Sequence, residues 1–204
     1  MTTHDARPVI VGVTGASGAV MAVRLVDALL RRETGVAFVC SSGGRLVWAD
    51  ELDRSYAATV AGWQESPHFT EYAIGDLRAP IASGSYPTRG MAVVPCSMNS
   101  LSAIAHGRAD NLLLRAADVC LKERRTLVIT PRETPLHSGH IENMLRVSRL
   151  GAVVLPPEPP FYLRPQTVDE VVDFVVDRVL VALGVEDALE DAHQWWGGER
   201  RGMC

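Results

Sequence analysis

Residues 8–18 read Pro-Val-Ile-Val-Gly-Val-Thr-Gly-Ala-Ser-Gly, an apolar run followed at once by a loop of small residues. The apolar run predicts a buried strand over residues 8–13, and the amphipathic pattern after the loop predicts a helix over residues 18–32. The small residues of the loop allow an anion to approach backbone N–H groups and the start of that helix. This stretch therefore predicts a phosphate-binding loop near the start of an α/β fold.

The spacing of the loop restricts which phosphate ligand it suits. Neither the Gly-Lys-Ser/Thr ending of a nucleoside-triphosphate loop nor the G-x-G-x-x-G pattern of a dinucleotide site is present. The next predicted strand is followed by Ser41, Ser42 and Gly43 rather than by the acidic residue that binds a dinucleotide's ribose. These features favour a mononucleotide. The alternative for this segment is a plain strand-to-helix turn in which Ser17 caps the helix.

Strands and helices alternate along the rest of the chain, which is typical of a parallel sheet covered on both faces. We expect a flavodoxin-like (Rossmann-like) three-layer sandwich with a parallel sheet, formed by a single domain over residues 1–204 in which 1–7 and about 186–204 are terminal extensions. Residues 66–90 contain three prolines and three glycines and predict a long surface loop. The further predicted buried strands are residues 36–40, 91–94, 126–129 and 152–155, and the further predicted helices are residues 111–125, 139–150 and 167–183.

The charge and the apolar pattern exclude several classes of function. The formal net charge is −4 and residues of both signs are interspersed, so we expect no nucleic-acid partner and no membrane partner. No apolar run approaches the roughly 20 residues that a membrane span requires. The polar start of the chain does not resemble a secretory signal, so we expect a cytoplasmic protein.

The cysteines and histidines give no sign of a metal site. The cysteines lack C-x-x-C spacing, which predicts free thiols, of which the first three are buried. The histidines lack the i, i+4 pairing or the acidic companion of a metal site, so we expect no required metal. The cysteines are Cys40, Cys96, Cys120 and Cys204, and the histidines in question are His106, His137 and His140.

Two polar segments follow predicted strands, at the edge of a parallel sheet where ligands bind. Residues 95–100 carry small polar side chains suited to a ring edge or a phosphate, although Ser97 and Ser100 also suit plain helix caps. Arg132 and Glu133 lie between two prolines that stiffen the backbone. The arginine is able to bind phosphate and the glutamate to accept a proton, with a local surface ion pair as the alternative.

Two more groups have a functional and a structural interpretation. Tyr162 ends the proline-rich run of residues 156–162 and predicts an aromatic wall at the sheet edge, with simple packing over the rim as the alternative. Arg115 and Lys122 lie seven residues apart on one predicted helix face, with Asp118 between them. The charge pattern of this helix alone favours solvated ion pairs.

Taken together, these segments resemble the UbiX-type flavin prenyltransferases, which belong to the broader group of flavoproteins that includes the peptidyl-cysteine decarboxylases. The resemblance covers nearly the whole chain. Its most specific runs are residues 13–18, 92–111, 115–125, 131–135, 142–145 and 161–175.

The resemblance implies an enzyme that transfers a dimethylallyl group from dimethylallyl monophosphate to N5 and C6 of reduced FMN. It implies that Ser17, Glu51, Lys122 and Glu133 are catalytic, with Glu51 and Ser17 near the reacting edge of the flavin. The implied FMN-binding residues are Gly15, Ala16, Ser17, Ser41, Ser97, Met98, Asn99, Ser100 and Arg132. The residues implied to bind the prenyl phosphate are Arg115, Lys122, Glu133, Tyr162 and Arg178.

The resemblance also implies partners. Relatives assemble as homo-oligomers, often dodecamers, with the site built at contacts between subunits, and their product is the cofactor of a partner decarboxylase. This chain departs from the family pattern at Ser42, where a lysine is frequent, and at residues 137–139. Either Trp195 or Trp196 matches a late tryptophan of the family.

Two other functions are compatible with the same fold. An FMN-dependent cysteine decarboxylase would keep its flavin unmodified, but relatives of that kind use a histidine in the early helical region, and the first 60 residues contain only His4. A non-catalytic flavin-binding accessory subunit of a hydroxyaryl decarboxylase would not need a prenyl phosphate pocket. An enzyme is therefore favoured by the presence of Lys122, Arg132, Glu133, Tyr162 and Arg178.

Overall fold

The computed structural model describes residues 7–187 and 189–194 of the chain. At its centre lies a sheet of six strands, and each neighbouring pair is parallel. The strands are β1 (Val9–Val13), β2 (Val36–Cys40), β3 (Phe69–Tyr72), β4 (Gly90–Cys96), β5 (Thr126–Pro131) and β6 (Val153–Val154). Their order across the sheet is β3-β2-β1-β4-β5-β6.

This strand order confirms the predicted fold. Without the short edge strand β3, the remaining order is the 2-1-3-4-5 arrangement of flavodoxin, and with β3 it is the doubly wound 3-2-1-4-5-6 order. In both descriptions the chain reverses its direction of travel across the sheet between β1 and β4. The crevice above this switch point is where such sheets bind ligands.

Helices cover both faces of the sheet and complete the three layers. Successive strand side chains point to opposite faces, so Val9 and Val11 enter one core and Ile10 the other. Buried residues of α1, α2, α3 and α7 belong to the first core, and those of α4, α5 and α6 to the second. The helices are α1 (Ala19–Arg31), α2 (Ser42–Glu51), α3 (Tyr56–Trp63), α4 (Met98–Ala105), α5 (Leu112–Lys122), α6 (Ser138–Arg149) and α7 (Val168–Ala182).

Two sequence expectations about strands were wrong. Residues 66–90 are not one long loop, because they contain β3 and a short 3₁₀ helix, Pro80–Ala82. Strand β3 is not evident from the sequence, since only Phe69 of its four residues is buried. The last strand is shorter than predicted and is not buried, because β6 lies at the sheet edge and Val153 is 40% exposed.

Two remaining features are the cysteines and the C-terminal extension. Cys40, Cys96 and Cys120 are free and buried, as predicted, whereas Cys204 lies outside the described residues. The start of the C-terminal extension, up to Gln194, folds back onto α7 of its own chain through hydrogen bonds to Asp177. Residues 195 and 196, the two tryptophans, lie outside the described part.

Candidate functional site

The loops after β1, β2, β4 and β5 are held together at the carboxyl edge of the sheet. The Thr14 hydroxyl donates to the Pro95 carbonyl at 3.0 Å and accepts from the Ser97 N–H at 2.7 Å, which joins the loops after β1 and β4. Arg132 donates its N–H to the Cys96 carbonyl at 3.1 Å, which adds the loop after β5. These bonds fix the relative positions of the loops and so preorganise a site in the crevice between them.

The loop after β1 also meets the start of α2 backbone to backbone. A Cβ atom on Gly15 would lie 3.2 Å from the Gly43 Cα atom, and a Cβ on Gly43 would lie 3.3 Å from the Gly15 Cα atom. Glycine at both positions permits this approach. Of the loop residues predicted to bind a mononucleotide, Gly15 is exposed and Ala16 is buried.

Glu51 occupies the start of α1. Its Oε2 atom accepts from the Gly18 N–H at 2.8 Å and from the Ala19 N–H at 2.9 Å. A carboxylate in this position is stabilised by the helix dipole and by the otherwise unpaired N–H groups of the first turn. The N–H groups at the start of α1, which the sequence predicted to bind a phosphate, therefore donate to the protein's own carboxylate. An external phosphate must bind other donors.

Ser17, Glu51 and Arg132 form one cluster. Burial disfavours the charged form of Glu51, but hydrogen bonds from the Ser17 hydroxyl and from two backbone N–H groups, together with the charge of Arg132, outweigh it and lower the Glu51 pKa. The Glu51 carboxyl is therefore ionised at neutral pH and binds a proton less tightly than an ordinary glutamate. This juxtaposition joins residues that are far apart in the sequence and that the resemblance had placed near a flavin.

Serines cap the helices that follow β2 and β4. Ser41 caps α2 by accepting from the Gly44 N–H at 3.0 Å, and Ser97 caps α4 by accepting from the Ser100 N–H at 3.2 Å. The capping alternative considered for Ser97 is therefore correct as a local description, but it does not exclude binding, because a hydroxyl that accepts one hydrogen bond is still able to donate another. The Ser41 hydroxyl retains this capacity, whereas the Ser97 hydroxyl donates to Ser100 Oγ at 3.1 Å.

The remaining predicted flavin contacts lie at the same edge. Met98 is half-buried and Asn99 is exposed, both in the first turn of α4. Arg132 and Glu133 are exposed after the end of β5, and Glu133 Oε1 accepts the N–H of Thr134 at 3.0 Å. The charge of Arg132 contributes to lowering the Glu51 pKa, so the two side chains face the same crevice.

Tyr162 and Arg178 lie together in a second group. They line an open cavity of about 340 Å³ beside β6, whose other lining includes Phe174 and Glu158. The Tyr162 ring packs edge-to-face on the Phe174 ring, with the centroids 6.4 Å apart. The cavity combines an aromatic wall with one guanidinium group, which suits a short apolar chain that ends in an anion.

Arg115 and Lys122 lie elsewhere in the chain's fold. Both are on α5, where Arg115 bonds the Ala82 carbonyl at 3.0 Å and pairs with Asp118 at 2.8 Å, while Lys122 pairs with Glu123. Because α5 runs antiparallel to the strands and ends just before β5 begins, Lys122 lies at the amino edge of the sheet. Strand β5 separates it from Glu133 by roughly 16 Å, so one chain does not bring these two residues together.

Sequence reasoning missed several residues that shape these groups. The sequence analysis treats Thr14 only as part of a loop. In the structure Thr14 is 2% exposed and lies between two loops, which is typical of a hydroxyl with a structural role. Phe174 and Glu158 were not recognised as cavity residues. For Phe174 the sequence did carry a signal, because Phe174 and Arg178 are four residues apart and therefore share one helix face.

The structure gives no metal centre within residues 7–187 and 189–194, where no group of three potential metal-binding side chains occurs. The rings of His137 and His140 stack with centroids 3.6 Å apart.

Burial raises the pKa of each of the thiols of Cys40, Cys96 and Cys120 to about 12, so none of them is a thiolate at neutral pH. Among the same residues there is no helix long and apolar enough to span a membrane.

The donors around the crevice fit a flavin mononucleotide. Hydroxyl groups at the starts of α2 and α4 and the Arg132 guanidinium suit a phosphate and a polar ring edge. The switch point between β1 and β4 is also where flavodoxin-like sheets bind FMN. Fold and site together define a flavin-binding α/β protein, and the family model described as Flavoprotein matches residues 1–180.

The relatives define the family more closely. The flavin prenyltransferase UbiX of Alkalihalophilus pseudofirmus is 46% identical over 184 residues, which are 88% of this chain and 92% of that protein. This chain therefore belongs to the UbiX flavin prenyltransferase family of flavoproteins.

Solved structures support the same assignment. A structure described as AnUbiX (PadA1) in complex with FMN and dimethylallyl pyrophosphate matches with a TM-score of 0.85 and 38% identity, covering 95% of this chain and 99% of the other. A dodecameric FMN-dependent UbiX-like decarboxylase from Escherichia coli O157:H7 matches with a TM-score of 0.84 and 41% identity, covering 94% and 100%.

Proposed function

We propose that this chain transfers a dimethylallyl group from dimethylallyl monophosphate to N5 and C6 of reduced FMN, making a prenylated flavin that serves as the cofactor of a decarboxylase. The observation that carries the proposal is the cluster of Ser17, Glu51 and Arg132 beside Glu133, in a chain that is 46% identical to a flavin prenyltransferase. A flavin carrier would have no use for a prenyl phosphate cavity at the same sheet, and the cavity of Tyr162 and Arg178 supports turnover.

The residues proposed to hold FMN surround the crevice. Ser41, the first turn of α4 and Arg132 offer donors to its phosphate and ring, while Ser17 and Glu51 lie at the reacting edge. When bound in its reduced form, FMN supplies two nucleophilic atoms, N5 and C6. The protein's part is to orient those atoms, and the hydrogen bonds of Thr14 that fix two of the loops serve that purpose.

The donor's allylic C–O bond must break with its electron pair on the phosphate. Charge then develops as positive on carbon and negative on phosphate, so a cation near the phosphate and an aromatic face near the allyl group lower the barrier. In this proposal Arg178 binds the phosphate and the Tyr162 ring stabilises the allyl cation. Bond formation at N5 and at C6 displaces two flavin protons. One of them is returned to the double bond of the transferred group, which allows the second bond to form, and the other passes through Glu133 to the leaving phosphate, so the released flavin is heavier by one C5H8 unit.

The two glutamates are proposed to have different roles in moving protons. Because its pKa is lowered, Glu51 is a weaker base than an ordinary carboxylate, and its proposed role is to orient Ser17 and the flavin edge. Glu133 is exposed in the crevice and makes a single described hydrogen bond, from Thr134. It is the carboxylate proposed to accept the flavin proton.

Arg115 and Lys122 are proposed to act from a neighbouring subunit. Lys122 ends α5 just before β5 begins, and Arg115 bonds the Ala82 carbonyl rather than a residue of the crevice. In this proposal they reach a prenyl phosphate when another copy of the chain presents its α5 there. A relative of known structure is described as dodecameric, which supports such an assembly. The proposal includes a homo-oligomer whose site is completed across a subunit contact.

Two further parts of the proposal concern the chain as a whole. Residues 1–204 are taken as one flavoprotein domain, which the single sheet supports. A cytoplasmic location is proposed, supported by the free thiols of Cys40, Cys96 and Cys120.

The test is anaerobic incubation of the purified protein with reduced FMN and dimethylallyl monophosphate, followed by mass analysis of the released flavin. A gain of one C5H8 unit, together with release of inorganic phosphate, is expected. A parallel reaction with dimethylallyl pyrophosphate shows which donor is used. Unmodified FMN with both donors intact would refute the proposal and favour a cysteine decarboxylase or a flavin carrier.

A further inference from the structure

The chain beyond α7 returns to the body of the protein and is held there by charged and polar contacts. Arg32, which follows the last residue of α1, forms an ion pair with Glu186, and the Asp177 carboxylate of α7 accepts two hydrogen bonds from the segment 190–193. The described residues of 186–193, called the return segment here, therefore pack on the outer helix layer beside the cavity of Tyr162 and Arg178.

Asp177 is the centre of these contacts. It is only 4% exposed, and its Oδ2 atom accepts from the Glu190 N–H at 2.9 Å and lies 2.9 Å from His193 Nδ1. Its Oδ1 atom is buried with no hydrogen-bond partner among the described residues. A buried carboxylate is costly unless it is paired, so the return segment and α7 hold each other in place through this one group.

A series of aromatic contacts leads from His193 to the cavity. The His193 ring meets the Phe174 ring edge-to-face, with centroids 5.6 Å apart and planes at 89°. Phe174 in turn meets Tyr162 edge-to-face at 6.4 Å and 85°. Both Phe174 and Tyr162 line the cavity, so a ring that lies outside the cavity packs against its aromatic wall.

We propose that His193, fixed by Asp177, is a positioning residue for the aromatic wall of the cavity. The inference rests on the proposed function in that the ligand of this wall is the dimethylallyl group. His193 acts through Phe174 and does not touch the substrate itself. The substitution His193→Ala removes the ring that packs edge-to-face on Phe174 and so removes one constraint on the orientation of the Phe174 ring.

The first measurement is hydrogen exchange in the full chain without ligands, which does not depend on the proposed function. The Leu163 and Arg164 N–H groups donate to the Pro160 and Phe161 carbonyls at 2.8 and 3.1 Å, and they report on the 3₁₀ turn that carries Tyr162. His193→Ala is expected to speed exchange at these amides. Asp187→Ala is the control, because it removes an exposed side chain of the same extension and keeps both the Glu190 N–H that bonds Asp177 and the His193 ring.

The second measurement is steady-state prenylation at varied dimethylallyl monophosphate. His193→Ala is expected to raise the half-saturating donor concentration by about two- to tenfold, the range that one aromatic edge contact supplies, while FMN affinity stays unchanged. His193→Asn keeps a hydrogen-bond donor for Asp177 but has no ring, so it is expected to show the same rise. His193→Phe keeps a ring and is expected to recover part of the loss.

The outcomes separate the two proposals. If the wild-type protein does not prenylate FMN, the proposed function fails, and the hydrogen exchange still tests the inference. If His193→Asn restores wild-type exchange and donor half-saturation, the hydrogen bond alone matters and the ring series is overturned. If His193→Ala lowers the melting temperature but changes neither readout, His193 is purely structural and the inference is overturned.

Discussion

Glu51 lies where an anion-binding loop usually leaves room for the phosphate of its ligand. Its carboxylate accepts hydrogen bonds from the N–H groups of Gly18 and Ala19. These bonds, the Ser17 hydroxyl and the charge of Arg132 together favour its ionised form. Because this arrangement exists in the folded protein itself, the crevice carries a fixed negative charge next to a guanidinium. A phosphate placed there must avoid Glu51, which favours the starts of α2 and α4 as its donors.

The Glu51→Gln substitution tests this arrangement through stability. A carboxylate at a helix start contributes about 0.3–1 kcal/mol, so the variant is expected to lose about that amount at neutral pH. The folded pKa of Glu51 lies below its ordinary value of 4.5, so this contribution is complete above pH 4.5 and is lost as the pH falls through the lowered pKa. Urea unfolding of both proteins across this range measures the difference.

Glu65→Gln serves as the matched control for that series, because Glu65 is exposed after α3 and away from the crevice. It is expected to leave the free energy of unfolding within about 0.5 kcal/mol of the wild type. A stability difference for Glu51→Gln that does not shrink at acid pH would contradict the assigned role.

The Glu133→Gln substitution tests proton transfer. The amide keeps the size and the hydrogen-bonding oxygen of the side chain but cannot accept a proton, so FMN should still bind while single-turnover prenylation slows by about a hundredfold or more. Rapid-quench measurement with reduced FMN gives the rate. The exposed α6 residue Glu142, changed to Gln, is the control, and an unchanged rate for Glu133→Gln would remove this residue from the mechanism.

At the scale of the elements, the sequence predicted those whose apolar pattern is strong. Strand β1 and helix α1 were within one or two residues of their observed bounds, because a continuous buried strand and an amphipathic helix give unmistakable periods. Strand β3 was missed because it lies at the sheet edge, where the Phe-Thr-Glu-Tyr pattern is mostly polar and partly exposed. The structure adds α2 and α3, which had no strong amphipathic signal.

The start of α2 offers a test at this scale. A Cβ on Gly44 would lie 2.9 Å from both the Val13 carbonyl oxygen and the Cys40 Sγ atom, so Gly44→Ala forces the helix away from the loop after β1. We expect a loss of about 1–3 kcal/mol, typical of overpacking, together with weaker FMN binding, because Ser41 moves with the helix. Thermal unfolding and flavin fluorescence titration measure the two effects.

Gly75 provides the control for this substitution. A Cβ at Gly75 meets nothing within 4 Å, so Gly75→Ala is expected to leave both stability and FMN affinity nearly unchanged. If Gly44→Ala behaves like Gly75→Ala, the contact between α2 and the loop after β1 does not constrain the site.

At the scale of the whole molecule, sequence reasoning located the loops of the candidate site but not their partners. The rule that ligands bind at the carboxyl edge of a parallel sheet selected the loops after β1, β2, β4 and β5. The contact of Glu51 with Gly18 was not predictable from spacing, because 33 residues separate them. The position of Lys122 was predictable in principle, since a helix that precedes a parallel strand ends at the opposite edge of the sheet.

Subunit sharing is tested by mixing two defective chains. Lys122→Ala and Glu133→Gln are each expected to be nearly inactive alone. In a co-expressed hetero-oligomer, some sites combine Glu133 of one chain with Lys122 of the other, so activity should return to about a quarter of the wild-type level if assembly is random. Two affinity tags isolate the mixed assemblies for the prenylation assay.

Two outcomes would contradict subunit sharing. Full activity of Lys122→Ala alone would show that this lysine is not needed. No recovery in the mixed assemblies would show that both residues act within one chain or that Lys122 acts only on stability, which the melting temperature of that variant reveals.

The distance between Lys122 and Glu133 along β5 also couples catalysis to mass action. In the proposed enzyme an isolated subunit retains the crevice and its flavin donors but has no lysine beside the prenyl phosphate. On dilution, turnover per chain should therefore fall in step with dissociation of the assembly, whereas flavin affinity should fall less. In the proposed enzyme, a site divided between two edges of the sheet thus makes the cell's concentration of the protein a determinant of its specific activity.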